Sequence, residues 1–283
     1  MTFNPGARLD PDQVTDVRGR SVGGRGLAVG GGGIGIVIAI VYLLLGGDPS
    51  ALIQSDPNAG AQPNASLLAE CQTGQDANER QDCRIVGFVN SIQDYWSKTY
   101  QGYRPAETVL FSQGVNTGCG SASSAVGPFY CPPDQSIYID LGFFGDLESR
   151  FGAEGGPLAE AYVVAHEYGH HIQNLEGTLQ AGGGGTGAES RAVRTELQAD
   201  CFAGAWVQNA AETGYLQAPT PEQIRQALDA AAAVGDDRIQ AQTQGQVNPE
   251  AWTHGSSEQR QQWFTIGFES GDPNRCNTFD ADL

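Results

Sequence analysis

The stretch AYVVAHEYGHHIQNLEG, residues 161–177, holds three of the chain's four histidines. His166 and His170 are four residues apart, with Glu167 directly after the first. On a helix, positions i and i+4 share one face, a turn apart. The pair can therefore offer two imidazole nitrogens to one ion. Zinc takes histidine nitrogen at about 2.0–2.1 Å, and a catalytic zinc keeps three protein ligands and one water. Glu167 can point toward that water. H-E-x-x-H on a helix is thus the spacing of a hydrolytic zinc centre with the glutamate as general base. Val163, Val164, Ala165 and Ile172 make the helix largely apolar, which turns the pair toward an interior or a cleft. His171 lies about 100° around the helix from His170, so it reads as a bystander or a support to the ligands.

A third ligand has to come from another element. Glu176, Glu189, Glu196, Asp200 and His254 are the downstream candidates. TELQADCFAGAW, residues 195–206, favours Glu196. Glu196 and Asp200 share a helix face that continues through Ala199, Ala203 and Val207, while Arg191, Arg194 and Gln198 mark the polar face. Two carboxylates on a stripe of small residues are costly unless paired or metal-bound. Glu196 as ligand would satisfy one. Asp200 behind it, accepting from the far nitrogen of a ligand histidine, would satisfy the other. The alternative is a solvated acidic helix edge.

These residues need helices to position them. The first expected helix carries Ile85, Phe88, Val89, Ile92, Tyr95 and Trp96 at helical spacing. TVLFSQ and QSIYIDL read as strands, the second alternating at Ile137, Ile139 and Leu141. The histidine helix is expected from about Pro157 to Leu175, with Gly177 as its stop. The carboxylate helix is expected over about Ser190 to Ala211. TPEQIRQALDAAAA begins with a Thr cap and a Pro, and Ser256 or Ser257 caps a last helix. SIYID is a candidate edge strand for an extended peptide. The AGGGGTG loop, residues 181–187, either gates the cleft or merely links the two ligand helices.

The chain has 283 residues and a formal net charge of −18 with only 15 Lys and Arg, which argues against a nucleic-acid partner. Leu27 to Leu45 runs without a charge. As a helix it would span about 28 Å, close to the thickness of a bilayer core. Arg18, Arg20 and Arg25 precede it, so residues 1–26, without a hydrophobic period and expected to be disordered, are placed in the cytoplasm and the domain on the extracytoplasmic side. A cleaved signal peptide is the rival. Residues 46–63 read as a Pro-containing linker and 64–283 as one domain. All six cysteines follow the apolar stretch, as an oxidising compartment allows. Chain order suggests Cys71–Cys83, Cys119–Cys131 and Cys201–Cys276, with free buried thiols as the rival.

H-E-x-x-H followed by E-x-x-x-D resembles the gluzincin metallopeptidases. ELQADCFAGAW and THGSSEQR, residues 253–260, also resemble segments of membrane-bound prenyl-protein proteases and their bacterial heat-shock relatives. The nearest likeness is to the bacterial neutral zinc metallopeptidases. Their H-E-x-G-H-H-x-Q, E-L-Q-A-D-C-x-A-G, G-D-D and T-H-G-S-x-x-Q-R segments fall here in His166–Gln173, Glu196–Gly204, Ala232–Asp237 and Thr253–Arg260. The resemblance covers nearly all of residues 65–283. It implies an α+β, mainly helical, zincin-like domain with a small sheet, here after one N-terminal transmembrane helix. It implies His166, His170 and Glu196 as zinc ligands and Glu167 as base. His254 would be the histidine that stabilises the transition state. The expected reaction is zinc-dependent peptide hydrolysis on a peptide or protein substrate. A non-catalytic membrane-anchored binding module with a structural zinc is the alternative. Glu167 disfavours it, since a structural site needs no base and usually closes with four protein ligands. Hydrolysis of an amide outside proteins is a third reading.

Overall fold

The computed structural model describes residues 1–19, 65–181 and 184–283. After an N-terminal strand come three helices: α1 (Ala65–Glu70), α2 (Gly74–Glu79) and α3 (Gln81–Thr99). A strand at the N-terminus, β1 (Val14–Asp16), joins β2 (Glu107–Phe111), β5 (Phe129–Cys131) and β6 (Ser136–Asp140) in one sheet. Its order is β1-β2-β6-β5, with β5 antiparallel to β6 and the other pairs parallel. The hairpin β3 (Gly114–Thr117) and β4 (Gly120–Ser123) forms a second, two-stranded sheet. Then come α4 (Gly142–Ser149), α5 (Pro157–Glu176), α6 (Arg191–Asn209), α7 (Pro221–Ala233), α8 (Asp236–Gln244) and α9 (Ser257–Ser270). The fold is α+β and mainly helical, as the sequence implies.

Local chemistry sets the ends of the helices that matter. Pro157 opens α5, and Gly177, left-handed at φ 78°, closes it. Ser190 caps α6 by accepting from the Val193 N–H. Thr220 with Gln223 and Ser256 with Gln259 form capping boxes at the starts of α7 and α9. α5 packs against α3, α6 and α7, and α6 against α9. The α6–α9 crossing depends on glycine. A Cβ at Gly267 would fall 1.9 Å from the Cys201 carbonyl oxygen, and one at Gly204 would fall 2.1 Å from that of Phe264.

Two expectations are corrected here. The edge strand next to the histidine helix is β5, because β6, which holds SIYID, lies between β2 and β5. At three residues, β5 is too short to show alternation.

The second correction concerns the N-terminus and the membrane. The expected transmembrane helix, Leu27–Leu45, and the linker, 46–63, lie outside the described residues. Among the described residues no helix is long and apolar enough to cross a membrane. The expected disordered tail is ordered over residues 1–19, within the same core as the rest. Phe3 is fully buried and its ring centroid lies 5.1 Å from that of Phe88. The side-chain amides of Asn78 and Asn90 each bond both ways to the main chain of Phe3 and Asp10. β1 pairs with β2. A topology with this segment on one side of a membrane and the domain on the other is therefore overturned. Main-chain bonds and isolated anchors hold the segment, which is why it shows no hydrophobic period.

The three disulfides pair as chain order suggests. Cys71–Cys83 ties the segment after α1 to α3, and Cys119–Cys131 ties the β3–β4 turn to β5. Cys201–Cys276 pins the C-terminal segment to α6, where Gln198 and Arg194 also bond the Cys276 and Thr278 carbonyls.

Candidate active site

α5 and α6 cross closely because Gly169 has no side chain. A Cβ there would come within 2.9 Å of the Ala199 Cα. That approach brings His166, His170 and Glu196 together in the interior, with their ligand atoms all within 4.8 Å of one another. His166 Nε2 lies 3.2 Å from Glu196 Oε2, and His170 Nε2 lies 3.6 Å from Glu196 Oε1. Tetrahedral zinc with ligand bonds of about 2.0–2.2 Å places neighbouring donors about 3.3–3.6 Å apart. The donor set and its spacing therefore fit zinc. Glu176 and Glu189, the other carboxylate candidates, are exposed.

Both histidines are oriented from behind. His166 Nδ1 lies 2.8 Å from Asp200 Oδ1, and His170 Nδ1 lies 2.8 Å from Gln173 Oε1. A carboxylate or amide oxygen accepts, so each Nδ1 carries the proton and each Nε2 is left for a metal. Gln173 in turn donates to the Thr195 carbonyl at 2.7 Å and to Gln198 Oε1 at 3.0 Å, both on α6. Asp200 has no exposure and is held by four donated bonds. Arg260 donates Nε to Oδ2 at 2.8 Å and Nη2 to Oδ1 at 3.0 Å, and the Tyr162 hydroxyl donates at 2.6 Å. His166 supplies the fourth.

Burial dominates the electrostatics, and charged neighbours then decide each outcome. Burial disfavours a charged Asp200, yet Arg260 and His166 override it and hold its pKa down. Glu196 is likewise held well below the carboxylate range by His170 and His166 against its burial. Burial opposes the charged form of His166, but Asp200 and Glu196 push its pKa up to about 10. A metal entering the site must displace that proton. Glu167 moves the other way. Burial raises its pKa, only partly countered by the two histidines and the nearby main chain of Tyr130.

His254 precedes α9 and faces the site closely enough that it and Glu196 shift one another's protonation. The loop carrying it is organised by Asp236, whose Oδ2 accepts the N–H groups of Thr253, His254 and Gly255 at 2.7, 2.7 and 3.1 Å. Asp236 Oδ1 lies 3.2 Å from His254 Nδ1. Asp237 Oδ1 accepts from the Ser257 N–H and hydroxyl. The G-D-D segment thus anchors the T-H-G-S segment. Sequence reasoning gave no role to Tyr162, Gln173, Asp236 or Arg260. The one available signal was that Gln173, Asp236 and Arg260 lie inside the quoted motifs. The glycine-rich loop is described only in part, with residues 182–183 outside the described residues.

Known proteins support the same family. Residues 6–279 match the family described as "Putative neutral zinc metallopeptidase". The chain is 52% identical over 250 residues to an uncharacterized protein of Mycobacterium tuberculosis, covering 84% of this chain and 85% of that one. It is 38% identical over 290 residues to the uncharacterized protein YpfJ of Escherichia coli K12, covering 96% and 97%. No solved structure matches the chain. With a match over nearly its whole length, the chain belongs to the neutral zinc metallopeptidase family.

Proposed function

We propose that the chain is a zinc-dependent hydrolase that cleaves peptide bonds, with His166, His170 and Glu196 holding the metal. The observation that carries the reading is the pairing of a metal-spaced donor triad with a buried carboxyl, Glu167, whose pKa is raised. A structural zinc gives no reason to bury a carboxyl without a fixed cationic partner beside it.

Zinc bound there supplies a water whose pKa is brought to about 7 and an electrophile for the scissile carbonyl. The protein's own groups do the rest. Asp200 and Gln173 keep the two imidazoles in the Nδ1–H tautomer and fix their aim. Glu167 takes a proton from the attacking water and returns it to the leaving amine, a task suited to a raised pKa. His254, its charged form favoured by Asp236 over the opposition of burial, donates to the carbonyl oxygen as negative charge develops. The outer edge of β5 takes an extended peptide by main-chain pairing.

The test is incubation of the zinc-loaded chain with a proteome-derived peptide library beside Glu167→Gln, with new termini read by mass spectrometry. Cleavage by the wild type alone, lost on chelation and restored by zinc, is expected. Equal cleavage by both proteins would remove Glu167 from the chemistry.

A further inference from the structure

Glu167, His171 and Asn174 follow at i, i+4 and i+7, so they share one face of α5. This face looks toward β5, and all three residues meet one residue there, Tyr130: His171 and Asn174 its side chain, Glu167 its main chain. The main chain of Tyr130, the middle residue of β5, lies close enough to the Glu167 carboxyl to lower its pKa against burial. The Tyr130 hydroxyl lies 3.0 Å from His171 Nδ1 and 2.9 Å from Asn174 Nδ2. His171 Nε2 lies 2.7 Å from the Arg104 carbonyl oxygen, on the segment leading into β2.

The protons along this chain are assigned by elimination. A carbonyl oxygen only accepts, so His171 Nε2 carries the hydrogen and Nδ1 is the acceptor. Tyr130 therefore donates to His171 and accepts from Asn174, whose amide nitrogen only donates. Both His171 nitrogens are consumed, and the residue has no exposure. The Tyr103 and Tyr130 rings pack on it with centroids at 5.8 and 5.4 Å. His171 is thus closed to metal and to substrate. It links three segments: α5, β5 and the approach to β2.

We propose that His171 and Asn174 are positioning residues that act through Tyr130. They fix its hydroxyl, and with it the main chain beside Glu167 and the register of the β5 edge against the zinc donors. The inference rests on the hydrolase reading of the site. A misplacement of about 1 Å between a base and an extended substrate can cost about a hundredfold in rate, so holding the edge strand from its far side has a catalytic consequence. The Cys119–Cys131 bridge secures the next residue of the same strand.

The test uses the full chain with Tyr130→Phe, His171→Leu and His171→Asn. Amide exchange at residues 129–131 is read with and without zinc, alongside zinc stoichiometry and the kinetics of a library-derived peptide. Tyr130→Phe, which deletes one oxygen, is expected to speed β5 exchange about tenfold while α6 exchange and zinc stoichiometry stay unchanged. Its kcat should fall about tenfold with a smaller change in KM. His171→Leu should do the same. His171→Asn, which keeps an acceptor for the hydroxyl, should recover part of the loss. Wild-type exchange at β5 in both Tyr130→Phe and His171→Leu would overturn the proposal, and Tyr130→Phe alone decides if His171→Leu does not fold. A wild type that cleaves nothing would sink the peptidase reading, while the exchange data still decide the clamp.

Discussion

Asp200 and Glu167 are both buried carboxyls that feel the charge of His166, yet the fold treats them in opposite ways. Asp200 receives four donors, two of them from a permanently charged guanidinium, and its pKa is lowered despite burial. Glu167 has no such set of donors, and burial raises its pKa. A carboxylate saturated by fixed donors cannot exchange a proton without breaking a network. One left with spare acceptor capacity in a dry site can. Two acids pushed in opposite directions in one cleft divide the work, one holding charge for geometry and the other moving a proton.

The largest effect expected from breaking this contrast is at Glu167. Glu167→Gln keeps the shape and the Tyr130 contact but cannot take a proton. Turnover should fall about a thousandfold with zinc stoichiometry unchanged, measured by steady-state rates and metal analysis on the same sample. Arg260→Leu attacks the other side by leaving Asp200 buried without its cation. Loss of one partner of a buried pair costs about 3–5 kcal/mol, to be read by denaturant unfolding of the metal-free protein. A loss below about 1 kcal/mol would mean that Asp200 finds another partner, and the contrast would lose its structural half. Asp200→Asn is milder. It removes the charge behind His166 while keeping its outline, so zinc affinity should fall about ten- to a hundredfold in competition with a chelator.

The contrast also explains what could be read in the sequence. His166, Glu167 and His170 stand out because a single helix positions them, and helical spacing is visible in a string of letters. Glu196 and Asp200 follow from the same periodicity on a second helix. The pairing of those helices was suggested only by chemistry, and its physical cause, the Gly169–Ala199 crossing, reads in sequence as one more small residue. Arg260 lies 60 residues from Asp200, and Tyr130 lies 37 from Glu167. Neither distance has a period, so neither contact was legible. The N-terminal segment failed for a related reason. Its buried anchors, Phe3, Leu9 and Val14, fall at irregular intervals, and the bonds holding it largely involve its main chain. An apolar stretch following such a segment looked like a membrane anchor with a loose tail.

The smallest expected effect concerns a second acid with a histidine, Asp236 and His254, which lack the guanidinium that fixes Asp200. Here both partners titrate, so the sign must be worked out for each. Asp236 has its pKa lowered from 3.8, with burial overridden by His254 and the loop N–H groups. Its contribution to stability is complete above about pH 4 and is lost as pH falls through the folded value. His254 has its pKa raised from 6.5, with burial overridden by Asp236. Its contribution is complete below about pH 6.5 and is lost as pH rises through the folded value. The pair therefore stabilises the metal-free protein most between about pH 4 and 6.5. Asp236→Asn should narrow the stability gap to wild type on both sides of that window, with a difference of about 1–2 kcal/mol inside it. Denaturant unfolding across pH 3–9 in the presence of chelator checks this. A gap independent of pH would show that Asp236 serves only as an acceptor for the loop N–H groups, and that the charge on His254 has a different origin.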